Sequence, residues 1–250
     1  MASPELLRKM KRDWYHRARE NFRYYIVNTR REWSDEEFMA SGDLTVERYV
    51  LTDMVNVCRG KRPCDMRVLD FGCGAGRVTR SLGKLFGEVH GVDISGEMLK
   101  LARRALADLP NIRLHETNGR DLDVLGDTLF DFAFSFSVFH HIPGKDLIEN
   151  CIRQVGEHLR SGCLFKFEVQ GHPFEAPEGD TWLGTPMRMR TCSRLQSGLV
   201  LSRATGLGKV KSLTGIGSSG SRRAHFLLAA STVPLRPCQR PDHHSSAFGR

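Results

Sequence analysis

No stretch of the 250-residue chain approaches eighteen uninterrupted apolar residues, so the sequence offers no ordinary membrane-spanning helix. Its opening, MASPELLRKMKRDWYHR, carries charges and lacks the apolar core of a secretory signal. The seven cysteines are odd in number and scattered, and no pair has zinc spacing. Neither a disulfide framework nor a metal site is expected; reduced thiols in a cytoplasmic setting are. One glycine is also missing. The dinucleotide fingerprint G-x-G-x-x-G, started at Gly72, needs its third glycine at position 77, and Arg77 stands there. That substitution argues against a site of the NAD type.

A net charge of +8 suggests a nucleic-acid partner only until the charge is located. Residues 188–250 hold eleven of the 37 Lys/Arg side chains and one of the 29 Asp/Glu side chains, Asp242. The first 187 residues are therefore close to neutral. Any nucleic-acid contact is expected through the basic tail alone.

Three regions follow from the patterning: a helical cover over residues 1–60, a core over 61–187, and an irregular Ser/Gly/Arg-rich tail over 188–250. Within the cover, Trp14, Ala18, Phe22, Tyr25 and Ile26 recur at spacings of three and four and mark one helical face. Ser34 followed by Glu37 is a helix start. In the core, strands are expected at 66–71, 88–92, 112–116, 130–136 and 163–169, with helices at 77–85, 96–107 and 145–159. The fourth strand is almost wholly apolar, as a central strand covered on both faces should be. Alternating strands and helices with right-handed crossovers give an α/β, doubly wound, mostly parallel sheet.

Against this pattern one run stands out. VLDFGCGAG, Val68 to Gly76, carries an apolar strand into glycines at alternate positions, and HGVDIS ends a second strand on Asp93, seventeen residues after Gly76. Glycines at a strand-to-helix turn let the backbone approach a ligand, and a carboxylate at this distance suits a ribose. The loop reads D-x-G-x-G-x-G from Asp70 through Gly72 and Gly74 to Gly76. Together with NGRDL at 118–122, FDFAFSFSVFHHIP at 130–143 and the WSDEEFMASG segment, it resembles the class I S-adenosylmethionine-dependent methyltransferases. The likeness is strongest to bacterial small-molecule enzymes of the type 11/12 domain group and spans roughly residues 10–187.

The resemblance implies a Rossmann-like sheet of the class I type and S-adenosylmethionine as cofactor. It implies that Gly72, Gly74 and Gly76 accept the methionine part, that Asp70 meets its ammonium group, and that Asp93 accepts both ribose hydroxyls. Ile94 and Met98 would flank the adenine; ordinary packing is an equal reading of both. Asp121 would face the exocyclic amine with Leu122 beside it, and Ser135 and Phe136 would border the methyl group. Tyr24, Tyr25, Ser41 and Gly42 could close over the site from the cover. His141, or its neighbour His140, is the candidate base, set against a plain helix-entry role, and Glu168 is a second choice. Cys73, inside the loop, reads as small-residue packing rather than a nucleophile.

The expected activity is methyl transfer from S-adenosylmethionine to a small-molecule acceptor. The alternatives are an RNA or protein methyltransferase that uses the basic tail, and a catalytically impaired cofactor-binding scaffold. Beyond residue 187 the periodicity collapses, and only 225–230 reads as a strand. The tail is therefore not expected to supply the strands that complete such a sheet. Read one base out of frame, Pro186–Thr191 permits an alternating Ala pattern and Leu213–Ser218 permits Tyr-Trp-Tyr-Trp-Phe. A shift of reading frame near residue 187 would account for the change.

Overall fold

The computed structural model describes residues 4–170, 210–216 and 222–228. Seven strands form one sheet in the order β3-β2-β1-β4-β5-β7-β6. The first five, β1 (Arg67–Phe71), β2 (Glu88–Asp93), β3 (Ile112–Glu116), β4 (Phe130–Ser135) and β5 (Leu159–Gln170), run parallel. Strand order reverses between β1 and β4, which opens a crevice beyond their carboxyl ends. β4 is buried at every position. Its Phe130 and Ala133 pack into one apolar layer with Ile148, Ile152 and Val155 of α6 (Lys145–Glu157), and its Phe132 and Phe134 pack into the opposite layer with Val78 and Leu82 of α4 (Arg77–Leu85). A strand with large apolar groups on both faces can only be central, as its sequence implied.

The helical cover consists of α1 (Pro4–Ile26), α2 (Asp35–Tyr49) and the short α3 (Met54–Cys58). α1 is broken at Asn21, whose backbone leaves the helical region at φ −160° and ψ 76°. The Asn21 side chain accepts from the Tyr24 N–H and so restarts the helix beyond the break. α2 begins with a full capping box: Glu37 N–H donates to Ser34 Oγ, and Ser34 N–H donates to the Glu37 carboxylate. Ala18 of α1, Phe38 of α2, Ala75 and Met98 form a third apolar cluster, which seats the cover on the glycine loop and on α5 (Gly96–Ala105).

The expectation that the tail does not supply closing strands is corrected, at 210–216 outright and at 222–228 by a strand that overlaps the 225–230 already read as one. β6 (Val210–Ile216) and β7 (Arg222–Leu228) form an antiparallel pair, and β7 lies antiparallel against β5. Strand pairing uses backbone groups, so a proline-free stretch containing β-branched and aromatic residues suffices even where helical or alternating patterning is poor. The rest of the tail lies outside the described residues. Among those residues no helix is long and apolar enough to cross a membrane.

Candidate active site

At the carboxyl ends of β1, β2 and β4 lies a cleft enclosing about 1070 Å³, open solvent at its mouth included. Its floor is the loop after β1. Gly72, Gly74 and Gly76 all have positive φ, at 79°, 54° and 86°. Gly72 also leaves room for Val138, whose Cγ2 would lie 2.4 Å from an added Cβ. Gly72 and Gly74 line the cleft. Gly76 does not: it is the N-cap of α4, and an added Cβ would meet Leu106 at 2.8 Å. Here the missing side chain allows close helix packing.

Three carboxylates reach this cleft from three elements. Asp93 ends β2 and accepts two backbone bonds, from Gly74 N–H at 2.9 Å and Ser95 N–H at 2.8 Å. Burial raises its pKa, and the hydrogen bonds oppose that rise. Asp70 is 3% exposed and accepts from Thr79 Oγ1 at 2.6 Å. Burial pushes its pKa up to about 6, against the pull of the Thr79 bond and of the Arg77 charge. Asp121 stands in a turn closed by Asn118, whose Oδ1 accepts the Arg120 and Asp121 N–H groups and whose Nδ2 donates to Asp121 Oδ2 at 2.7 Å. Leu122 follows with its backbone N–H donated to Gln154 Oε1 at 2.9 Å.

Between these carboxylates the wall is apolar. Ile94 and Met98 line the cleft, and Met98 belongs at the same time to the buried layer under α1. Phe136 borders the cleft at the end of β4. Ser135 does not; it is fully buried, and its Oγ has no hydrogen-bond partner among the described residues. Its place on a strand covered on both faces keeps its side chain below the surface.

His141 lines the cleft and His140 does not. The His141 ring meets Trp14 edge-on at 5.0 Å, and its Nδ1 is buried without a hydrogen-bond partner among the described residues. Burial, then the neighbouring His140 and Arg17, hold its pKa well below the ordinary imidazole value. Its imidazole is neutral at physiological pH and has a lone pair to offer. Glu168 is 2% exposed and outside the lining; it accepts the Ser137 N–H at 3.2 Å. Cys73 lines the cleft, but burial keeps its thiol protonated, with a pKa well above the ordinary value.

The cover contributes Trp14, Tyr25 and Ile26 to the lining, but neither Tyr24, Ser41 nor Gly42. Ser41 and Gly42 act through Arg77, whose importance the sequence reading missed. Arg77 opens α4, is 6% exposed, and donates to Ser41 O at 3.0 Å and Thr45 Oγ1 at 2.9 Å. Burial lowers its pKa to about 10, opposed by Asp70 and Glu168. A cation this deeply buried, next to the glycine loop, was the available signal; on sequence grounds it served only to exclude a fingerprint.

Residues 68–162 match the family model described as a methyltransferase domain. The chain is 30% identical over 107 residues to dTDP-3-amino-3,6-dideoxy-alpha-D-glucopyranose N,N-dimethyltransferase of Streptomyces fradiae, covering 43% of this chain and 40% of that protein. It is 31% identical over 107 residues to a ubiquinone biosynthesis O-methyltransferase of Mesorhizobium japonicum, covering 42% and 41%. These matches span less than half the length of either relative. In structure it is similar to magnesium protoporphyrin IX methyltransferase from Synechocystis PCC 6803 with bound SAH, at a TM-score of 0.63 and 15% identity over 90% of this chain and 100% of that one. Loop, sheet order and family match agree: residues 68–162 match a methyltransferase domain, and the sheet around them has the fold of the solved methyltransferase.

Proposed function

We propose that the protein transfers a methyl group from S-adenosylmethionine to a small-molecule acceptor in the cleft above β1, β2 and β4. The observation that carries this reading is Asp93, a half-buried carboxylate at the end of β2 that is bonded to the backbone of the glycine loop. The donor set fits a ligand with a cationic amino-acid end, a ribose diol and a flat base. Asp70 and the loop backbone would meet the first, Asp93 the second, and Ile94, Met98 and Asp121 the third. When bound, the cofactor supplies a methyl group on a sulfonium, already activated for in-line displacement.

The chain's own work is then positioning and exclusion of water. Phe136 and Val138 present apolar surface at the end of β4, and Trp14, Tyr25 and Ile26 cover the cleft from α1. His141, which lines the cleft just after the β4 turn, is the candidate to take a proton from an acceptor that must lose one. A small molecule is the acceptor class that the two curated relatives support. Their names specify nitrogen in one case and oxygen in the other.

Calorimetric titration with S-adenosylhomocysteine tests the reading. Saturable micromolar binding is expected, with no measurable binding in Asp93→Ala. A wild-type protein that is soluble and monodisperse but does not bind would overturn it.

A further inference from the structure

β4 ends in a turn that costs any residue other than glycine. Ser137 has φ 63°, in the left-handed region. Its backbone N–H is donated to Glu168 Oε2 at 3.2 Å, and Glu168 is 2% exposed near the end of β5. The turn delivers Phe136, Ser137 and Val138 to the cleft, with His141 following directly. Val138 occupies the space above Gly72 that a Cβ there would need. On its other side Glu168 faces the charge of Arg77, the residue that opens α4 after the glycine loop and holds α2. One buried carboxylate therefore stands where the glycine loop, the β4 turn and the cover converge.

On sequence grounds Glu168 was a candidate proton acceptor. Its burial and its bond to a backbone N–H give it a different task. We propose that Glu168 is a positioning residue that holds Ser137 in its left-handed turn and thereby keeps Phe136 and Val138 seated against the glycine loop. A charge-assisted bond to a buried N–H offsets the strain of a non-glycine residue in that region. Without it the turn relaxes toward a right-handed or extended conformation, Val138 leaves Gly72, and the loop loses its packing partner. The consequence for the cofactor rests on the reading above; the turn itself does not.

Two measurements separate these levels. Amide hydrogen exchange on the ligand-free protein reads the turn directly. Glu168→Ala is expected to speed exchange of the His141 and Ile142 amides, which are donated to Val138 O and Phe139 O of the turn, at least tenfold, and adding Ser137→Gly is expected to restore their protection, because glycine holds the conformation without help. Calorimetry with S-adenosylhomocysteine reads the consequence: about tenfold weaker binding in Glu168→Ala, and recovery to within threefold in the double variant. Glu168→Gln, whose amide oxygen can still accept the N–H, should stay within threefold of the wild type.

Should Glu168→Ala fail to fold, Ser137→Val attacks the same turn while leaving the buried charge in place. A β-branched residue at positive φ is expected to give the same loss of protection. Unchanged exchange in Glu168→Ala or Ser137→Val, or a double variant as unprotected as Glu168→Ala, overturns the proposal whether or not the wild type binds the cofactor product. Wild-type binding that fails while the exchange pattern holds counts against the proposed function and not against the turn.

Discussion

At the scale of single residues, the site holds ionisable groups that burial makes costly, and Asp70 shows the conflict most directly. Its pKa rises from an ordinary 3.8 to about 6 in the folded protein, burial being the main cause. A raised carboxylate pKa means that the folded state binds a proton more tightly than the unfolded chain. The contribution to stability is greatest below about pH 4 and is lost as pH rises through 6. At about 1.4 kcal/mol per pKa unit, the ionised group costs about 3 kcal/mol above pH 6. Asp70→Asn should therefore match the wild type in urea unfolding near pH 4 and exceed it by about 1–3 kcal/mol at pH 7.5. It should also bind S-adenosylhomocysteine more weakly, having lost the charge proposed to meet the ammonium group. Equal stability at both pH values would show that Asp70 is not a strained anion.

The residues of the cleft were unevenly legible. Asp93 and the Gly72–Gly74 loop could be placed from spacing, because a strand end fixes where the next backbone groups point. Gly76 and Ser135 could not be separated from their neighbours: three glycines in alternation look alike, yet one of them packs helices. His140 and His141 differ only in the direction that the turn after β4 gives them, which no local pattern encodes. Arg77 and Glu168 were hidden for a related reason. Each acts on backbone groups of distant elements, and those contacts exist only once the sheet is assembled.

At the scale of elements, the decisive contact is the crossing of α2 over α4. An added Cβ at Gly42 would lie 2.0 Å from Arg77 O, so the two helices touch backbone to backbone. Ser81 Oγ reinforces the crossing by donating to Asp43 Oδ1 at 2.6 Å. Gly42→Ala sets two effects against each other. Alanine gains up to about 1 kcal/mol in helix propensity. A backbone clash of this depth forces the helices apart, at a cost of about 1–3 kcal/mol or more. The clash wins, because the obstructing atom is a carbonyl that cannot rotate away. Net destabilisation in urea unfolding is expected, together with weaker cofactor-product binding as Arg77 loses Ser41 and Thr45. Ser34→Ala, which removes only the capping box, should cost about 1 kcal/mol and leave binding unchanged. A stabilised Gly42→Ala would mean that α2 does not rest on α4 in this way.

At the scale of the whole molecule, the question is what closes the sheet. The parallel strands were legible because each βα unit repeats the same alternation of an apolar run, a turn and an amphipathic helix. β6 and β7 carry no such repeat, and of the two only the end of β7, within 225–230, reads as a strand. What they supply is a row of backbone partners: β7 pairs with β5 from Phe167↔Phe226 to Gln170↔Arg223, and β6 then covers β7. Without them β5, whose Phe165 and Phe167 are core residues, would present an open edge of unpaired N–H and C=O groups. A chain ending at Gln170 is therefore expected to keep its helical signal in circular dichroism but to aggregate on gel filtration at micromolar concentration. A chain ending at Leu228 keeps both covering strands and should elute as the full-length protein does. If the shorter chain is equally monodisperse and unfolds at the same urea concentration, β6 and β7 do not close the sheet, and the basic segment from residue 188 would have to be explained by something other than the fold.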